Sequence, residues 1–61
     1  MTAFHPGDRV VVMAWGDADA GKHGTVTKIV STLNDPMVCV ELDDGDRVCF
    51  MAGDLRKERQ P

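Results

Sequence analysis

Long apolar runs are missing from this 61-residue chain. The longest is Val10-Val11-Val12-Met13-Ala14-Trp15, and another includes Val38-Cys39-Val40. Both fall far short of the roughly 18 residues that span a bilayer as a helix, so no membrane partner is expected. The opening residues, Met1-Thr2-Ala3-Phe4-His5-Pro6, hold no basic stretch followed by an apolar one. That excludes a secretory signal from this segment and sets the expectation of a cytoplasmic protein. Serine stands once, at Ser31, with neither His nor Asp spaced around it as a nucleophile motif requires. Gly16 and Gly21 have phosphate-loop spacing, but Lys22-His23 lacks the hydroxyl that follows the lysine of such loops. Cysteine occurs twice, as Cys39 and Cys49, and histidine twice, as His5 and His23. No paired C-x-x-C spacing is present, so no metal and no cofactor are expected. Repeats, low-complexity segments and any window with a helical stripe are absent as well.

What is there describes one small domain over residues 1–61, with a core of about residues 7–57 and short flexible ends. Hydrophobic residues make up 43% of the chain and charged ones 28%. A chain of this size buries only about 60% of the surface its unfolded form exposes, so the core is thin and any pocket shallow. Ten acids against seven bases leave a net charge of −3. Phosphate-neutralising proteins carry the opposite balance, which weighs against strong sequence-independent nucleic-acid binding. The acids gather as Asp17-Ala18-Asp19 and as Glu41-Leu42-Asp43-Asp44-Gly45-Asp46. Bases stand at Lys22, Lys28 and Arg47, and in the tail at Arg56, Lys57 and Arg59.

Strand signals dominate. The β-branched run from Val10 follows the turn signal Pro6-Gly7, and Gly24-Thr25-Val26-Thr27-Lys28-Ile29-Val30 is β-branched again. Val38, Val40 and Leu42 alternate with Cys39 and Glu41, the period of a strand with one buried face. The pattern resumes with Val48 and Phe50 inward and Arg47, Cys49 and Met51 on the other face. Ala52-Gly53-Asp54-Leu55 reads as a short turn that Asp54 can cap, followed by a last strand from Leu55 to Lys57. The fold class is all-β.

The second hairpin admits two registers. A two-residue loop at Asp44-Gly45 sets Glu41 opposite Val48. A three-residue loop, Asp43-Asp44-Gly45, is a type I turn with Gly45 in the left-handed region as a bulge. It pairs Val40 with Val48, Val38 with Phe50, Glu41 with Arg47 and Cys39 with Cys49, matching apolar with apolar and acid with base. Such pairs add a few tenths to about 1 kcal/mol each, which selects the three-residue loop. Cys39 and Cys49 then face each other at a non-hydrogen-bonded site, where a disulfide is geometrically allowed. A reducing compartment favours two semi-buried free thiols instead.

The segment Pro6-Gly7-Asp8-Arg9-Val10-Val11-Val12, then Gly21-Lys22-His23-Gly24-Thr25-Val26-Thr27-Lys28-Ile29, resembles the KOW motif. That motif, G-D-x-V-x-V, a loop, then G-x-x-G-x-V-x-x-I, occurs in SH3-like small barrels of ribosomal large-subunit proteins and NusG-type elongation factors. The resemblance covers residues 7–29, and residues 38–57 continue it with the ending seen in many small SH3-like barrels. It implies a five-stranded SH3-like barrel. Gly21 and Gly24 then supply positive φ and close backbone approach. Val26 and Ile29 both close the core, and their odd spacing implies a bulge between them. Two departures stand out: the chain is acidic where ribosomal KOW modules are basic, and its first loop carries Asp17 and Asp19. Tudor-type barrels, a related resemblance, grip methylated side chains in an aromatic cage. Phe4, Trp15 and Phe50 are the only aromatics here, so no cage is evident.

Fold does not fix function, and three readings follow. The first is a non-catalytic accessory or regulatory factor that docks on a larger machine, such as the transcription or translation apparatus. Its contacts come from Trp15, Asp17, Asp19, Asp43, Asp44 and Asp46, or from a free strand edge. The second is RNA or DNA binding through Lys22, His23, Lys28, Arg47 and the tail, as the KOW resemblance implies. The third is a small structural subunit of a phage or other assembly. No enzyme is expected, and the chain is expected as a monomer or weak oligomer. Trp15 has two roles open to it: covering an end of the barrel, the role a thin core favours, or anchoring a partner. Met13, Met37 and Met51 can fill gaps or form an adaptable apolar surface near it.

Overall fold

The structure is a computed structural model of the chain, and it describes residues 4–30 and 36–58. Five strands form one antiparallel sheet: β1 (Arg9–Val12), β2 (His23–Val30), β3 (Met37–Leu42), β4 (Arg47–Met51) and β5 (Leu55–Lys57). The strand order is β4-β3-β2-β1-β5, so four strands meander and the last returns to pair with the first. No ladder joins β4 to β5, and the sheet is open. A single 3-10 turn, Ala52–Asp54, separates these two edge strands. No described helix is long and apolar enough to cross a membrane.

The alternation read from the sequence is the alternation in the sheet. Val10, Val12, Val26, Val38, Val40, Leu42, Phe50 and Leu55 make up the buried cluster. Val48 and Ile29 pack on it from partly buried positions. Removing a Val, Leu or Phe side chain from water contributes about 1.5–3 kcal/mol, and this cluster is the main source of stability. Between Val26 and Lys28 the β2–β3 register shifts, so Val26 faces Val40 while Ile29 faces Val38. That bulge lets two residues three apart reach the same core. Phe4 packs on the cluster as well.

The β3–β4 hairpin adopts the three-residue register: Glu41↔Arg47, Val40↔Val48, Cys39↔Cys49, Val38↔Phe50 and Met37↔Met51. Gly45 has φ 98° and donates its N–H to the Leu42 carbonyl at 2.9 Å. Gly21, with φ 88°, has the conformation expected of it. Gly24 plays a different part. A Cβ there would lie 2.6 Å from Val40 Cγ1 and 2.7 Å from the Glu41 carbonyl oxygen, so the strands approach as closely as they do because it is glycine.

Two expectations are corrected. Cys39 and Cys49 are joined in a disulfide rather than standing as free thiols. Their Cα atoms are 4.0 Å apart, because a directly opposed, non-hydrogen-bonded pair brings side chains closest. Asp54 does not cap the turn before β5: it is the turn's last residue, and no side-chain cap is made there. Its carbonyl instead accepts a hydrogen bond from the Met13 N–H at 2.7 Å, tying the turn to the end of β1. Ser31 and Arg59 lie outside the described residues.

Candidate functional site

Residues 13–22 leave β1 and return to β2 through a chain of tight turns. The Asp17 N–H donates to the Ala14 carbonyl at 3.1 Å, Ala20 N–H to the Asp17 carbonyl at 3.1 Å, and Lys22 N–H to the Asp19 carbonyl at 3.0 Å. The Asp17 carboxylate accepts the Asp19 N–H at 2.8 Å, as short acidic side chains do in turns. At the base, Val12 N–H reaches the Lys22 carbonyl and Gly21 N–H the Val12 carbonyl. The loop is thus fastened at its base and along its length.

On this fastened loop Trp15 stands 90% exposed. The covering role favoured for it is therefore corrected: the indole leaves the core to the valines and Phe50. With Val12, Met13, Ala20 and Gly21 it lines a cleft of about 220 Å³. Met37 and Met51 do not line this cleft; they oppose each other across β3 and β4.

Lys22 joins the two acidic segments that the sequence holds apart. Its ammonium lies 3.0 Å from Asp19 of the first loop and 2.7 Å from Asp44 of the β3–β4 turn. Those hydrogen bonds, with Asp44 foremost, raise the Lys22 pKa above its ordinary value. Asp44 is lowered in turn, by Lys22 first and then by the backbone N–H of Asp46. Lys22, His23, Asp43 and Asp44 line a second shallow cleft of about 300 Å³.

Beside it, Arg9 grips Asp43 with both guanidinium nitrogens, at 2.8 and 2.7 Å, a bidentate fork. The same group donates to Thr25 Oγ1 at 3.1 Å and reaches Glu58 at 3.4 Å. The Asp43 hydrogen bond leads the causes that raise Arg9, and Arg9 leads those that lower Asp43. Glu58 also meets His23 Nδ1 at 2.7 Å. This network ties β1, β2, the β3–β4 turn and the residue after β5 at one end of the sheet.

The candidate residues therefore separate. Of the acids, Asp19, Asp43 and Asp44 are held by Lys22 or Arg9, while Asp17 and Asp46 are exposed with no cation partner among the described residues. Of the cations, Lys22 has two carboxylate partners and His23 one. Arg47 is only loosely paired, 3.7 Å from Glu41, and Lys28 has no carboxylate partner among the described residues. Sequence reasoning missed Arg9 and Glu58. Arg9 alternates with the inward Val10, which placed it on the outer face. Nothing in the sequence showed that the hairpin turn and the end of β5 would meet it there. Among the described residues no cluster of His, Cys, Asp and Glu could hold a metal ion. Comparison with protein-family models, with curated proteins and with solved structures finds no match.

Proposed function

We propose that this chain is a non-catalytic protein-interaction module that docks through Trp15 and the acidic loops beside it. The observation that carries the reading is the exposed indole on a hydrogen-bonded loop, over a cleft floored by Val12 and Met13. Large aromatics on ordered surfaces are the residues that dominate interface energetics. The surrounding carboxylates, Asp17, Asp19, Asp43, Asp44 and Asp46, outnumber the two cations among them, Lys22 and Arg9. A partner presenting a basic segment with an apolar anchor suits this surface, and long-range attraction speeds its association.

The fold reading that goes with this is an SH3-like barrel of the KOW kind. Support comes from the strand order, with β5 returning to β1, and from the bulge between Val26 and Lys28. Nucleic-acid binding is the weaker reading, since Lys22 and His23 are engaged by carboxylates. The test is quantitative capture from host extract with wild type and Trp15→Ala side by side, paired with an amide NMR titration against mixed-sequence RNA and a DNA duplex. Retention of one defined protein by wild type, lost in Trp15→Ala and weakened by salt, is the expected result. Shifts confined to Lys28, Arg47 and their neighbours on adding RNA or DNA would replace it with the nucleic-acid reading. Lys28 and Arg47 are the better positions for charge reversal, because Lys22 also holds two loops together.

A further inference from the structure

The outer face of the sheet carries a second chemistry, remote from Trp15 in the strand order. Cys39 and Cys49 are linked there, but their surroundings differ. Cys39 lies on an inner strand, between β2 and β4, and is 7% exposed. Cys49 lies on β4, an edge strand with no neighbouring strand on its other side among the described residues, and is exposed. An attacking thiolate must approach in line with the sulfur–sulfur bond, and of the two cysteines Cys49 is the one exposed to it.

Three charged side chains flank this bond: Lys28 of β2, and Glu41 and Arg47, which oppose each other across β3 and β4. Register puts Lys28 of β2 directly beside Cys39. Arg47 stands two residues from Cys49 on the same face of β4, as strand alternation requires. These are the two candidate cations that the carboxylates leave loosely held or unheld. An ammonium beside a sulfur stabilises the thiolate form and so makes a better leaving group.

We propose that Cys49 is a site of thiol–disulfide exchange with an anionic thiol of the glutathione class, and that Cys39 is the leaving thiolate. The thiolate sulfur bonds to Cys49 Sγ while the bond to Cys39 Sγ breaks, its electron pair passing to Cys39 beside Lys28. The product is a mixed disulfide on Cys49 and a thiolate on Cys39, which takes a proton from solvent. A second thiol molecule attacks the sulfur of the first, releasing Cys49 as a thiolate. Two thiol molecules are thereby oxidised to one disulfide, and two electrons reduce the protein. The hairpin keeps its register throughout, because the Val40–Val48 and Val38–Phe50 pairs and the Leu42–Asp46 hydrogen bond of 2.7 Å do not depend on the sulfur link.

The test treats oxidised wild-type protein with glutathione in native buffer, quenches with an alkylating agent, and maps the adduct by peptide mass spectrometry. Cysteamine at equal thiolate concentration serves as the cationic control. The expected result is a glutathione adduct on Cys49, with the alkyl group on Cys39. The rate should exceed that for cysteamine and fall by about threefold or more at high salt, as steering by charge requires. Lys28→Gln and Arg47→Gln are both exposed changes that leave the core untouched. Each should slow the glutathione reaction; Arg47→Gln should spare the cysteamine one, whereas Lys28→Gln should slow both, because the leaving thiolate is the same. An adduct mainly on Cys39, a bond inert until urea unfolds the chain, or two alkylations without any reductant would each overturn the proposal. Equal rates for the two thiols, unmoved by either substitution, would do the same.

Discussion

Trp15 and Gly24 show how little a residue's type reveals about its part until its neighbours are known. The indole is the largest side chain in the protein and contributes almost nothing to the core; it is presented outward. Trp15→Ala should therefore change unfolding free energy by no more than about 0.5 kcal/mol, as exposed substitutions do, while abolishing partner capture. Urea unfolding followed by circular dichroism separates those two effects. Gly24 is the reverse case, a residue without a side chain on which the packing depends. A methyl group there meets Val40 and the Glu41 carbonyl at distances real Cβ atoms do not tolerate. Overpacking of this kind costs about 1–3 kcal/mol, so Gly24→Ala should lower the urea midpoint markedly. Alanine at the exposed Gly53, where a Cβ meets nothing within 4 Å, is the matched control.

Elements were far more legible than the ties between them. The five strands, the bulge in β2 and the hairpin register all follow from period-two alternation and turn chemistry, which are local. Arg9 with Asp43, His23 with Glu58, and Lys22 across Asp19 and Asp44 are long-range pairings, and no local pattern encodes them. The disulfide falls between the two. Its register was legible, since Val40–Val48 and Glu41–Arg47 fix Cys39 opposite Cys49, but its redox state turned on an assumed compartment. In the chain-entropy account, a cross-link closing a loop this short removes about 2–3 kcal/mol of freedom from the unfolded state. Reduced protein, and the double variant Cys39→Ser/Cys49→Ser, should unfold at lower urea by about that amount and keep the native circular dichroism spectrum. Reversed denaturant profiles for the oxidised and reduced forms would contradict it.

Across the whole molecule the ionic network sets a pH dependence with a defined sign. Asp43 and Asp44 titrate below the ordinary carboxylate value of 3.8 because Arg9 and Lys22 hold their charged forms. A carboxylate lowered by folding stabilises the native state above its unfolded pKa, and that contribution is lost as pH falls through the folded value. Stability should thus stay level on acidification from neutrality to about the ordinary carboxylate range, then decline below it. Arg9→Gln and Lys22→Gln should flatten this acid limb, each by removing the partner of one carboxylate. Thermal unfolding from pH 6 to pH 2 measures both, at low salt where exposed pairs are least screened.

The pairing of β1 with β5 has a consequence for how the chain is made. On one side Val10 meets Gly24, which emerges from the ribosome soon after it; on the other it meets Lys57, which emerges long afterwards. Strand β1 must wait, with one edge unsatisfied, for β5 to be translated. The sheet is therefore completed only after β5 has emerged, and the β1 edge is the surface a nascent-chain chaperone would meet in the interval.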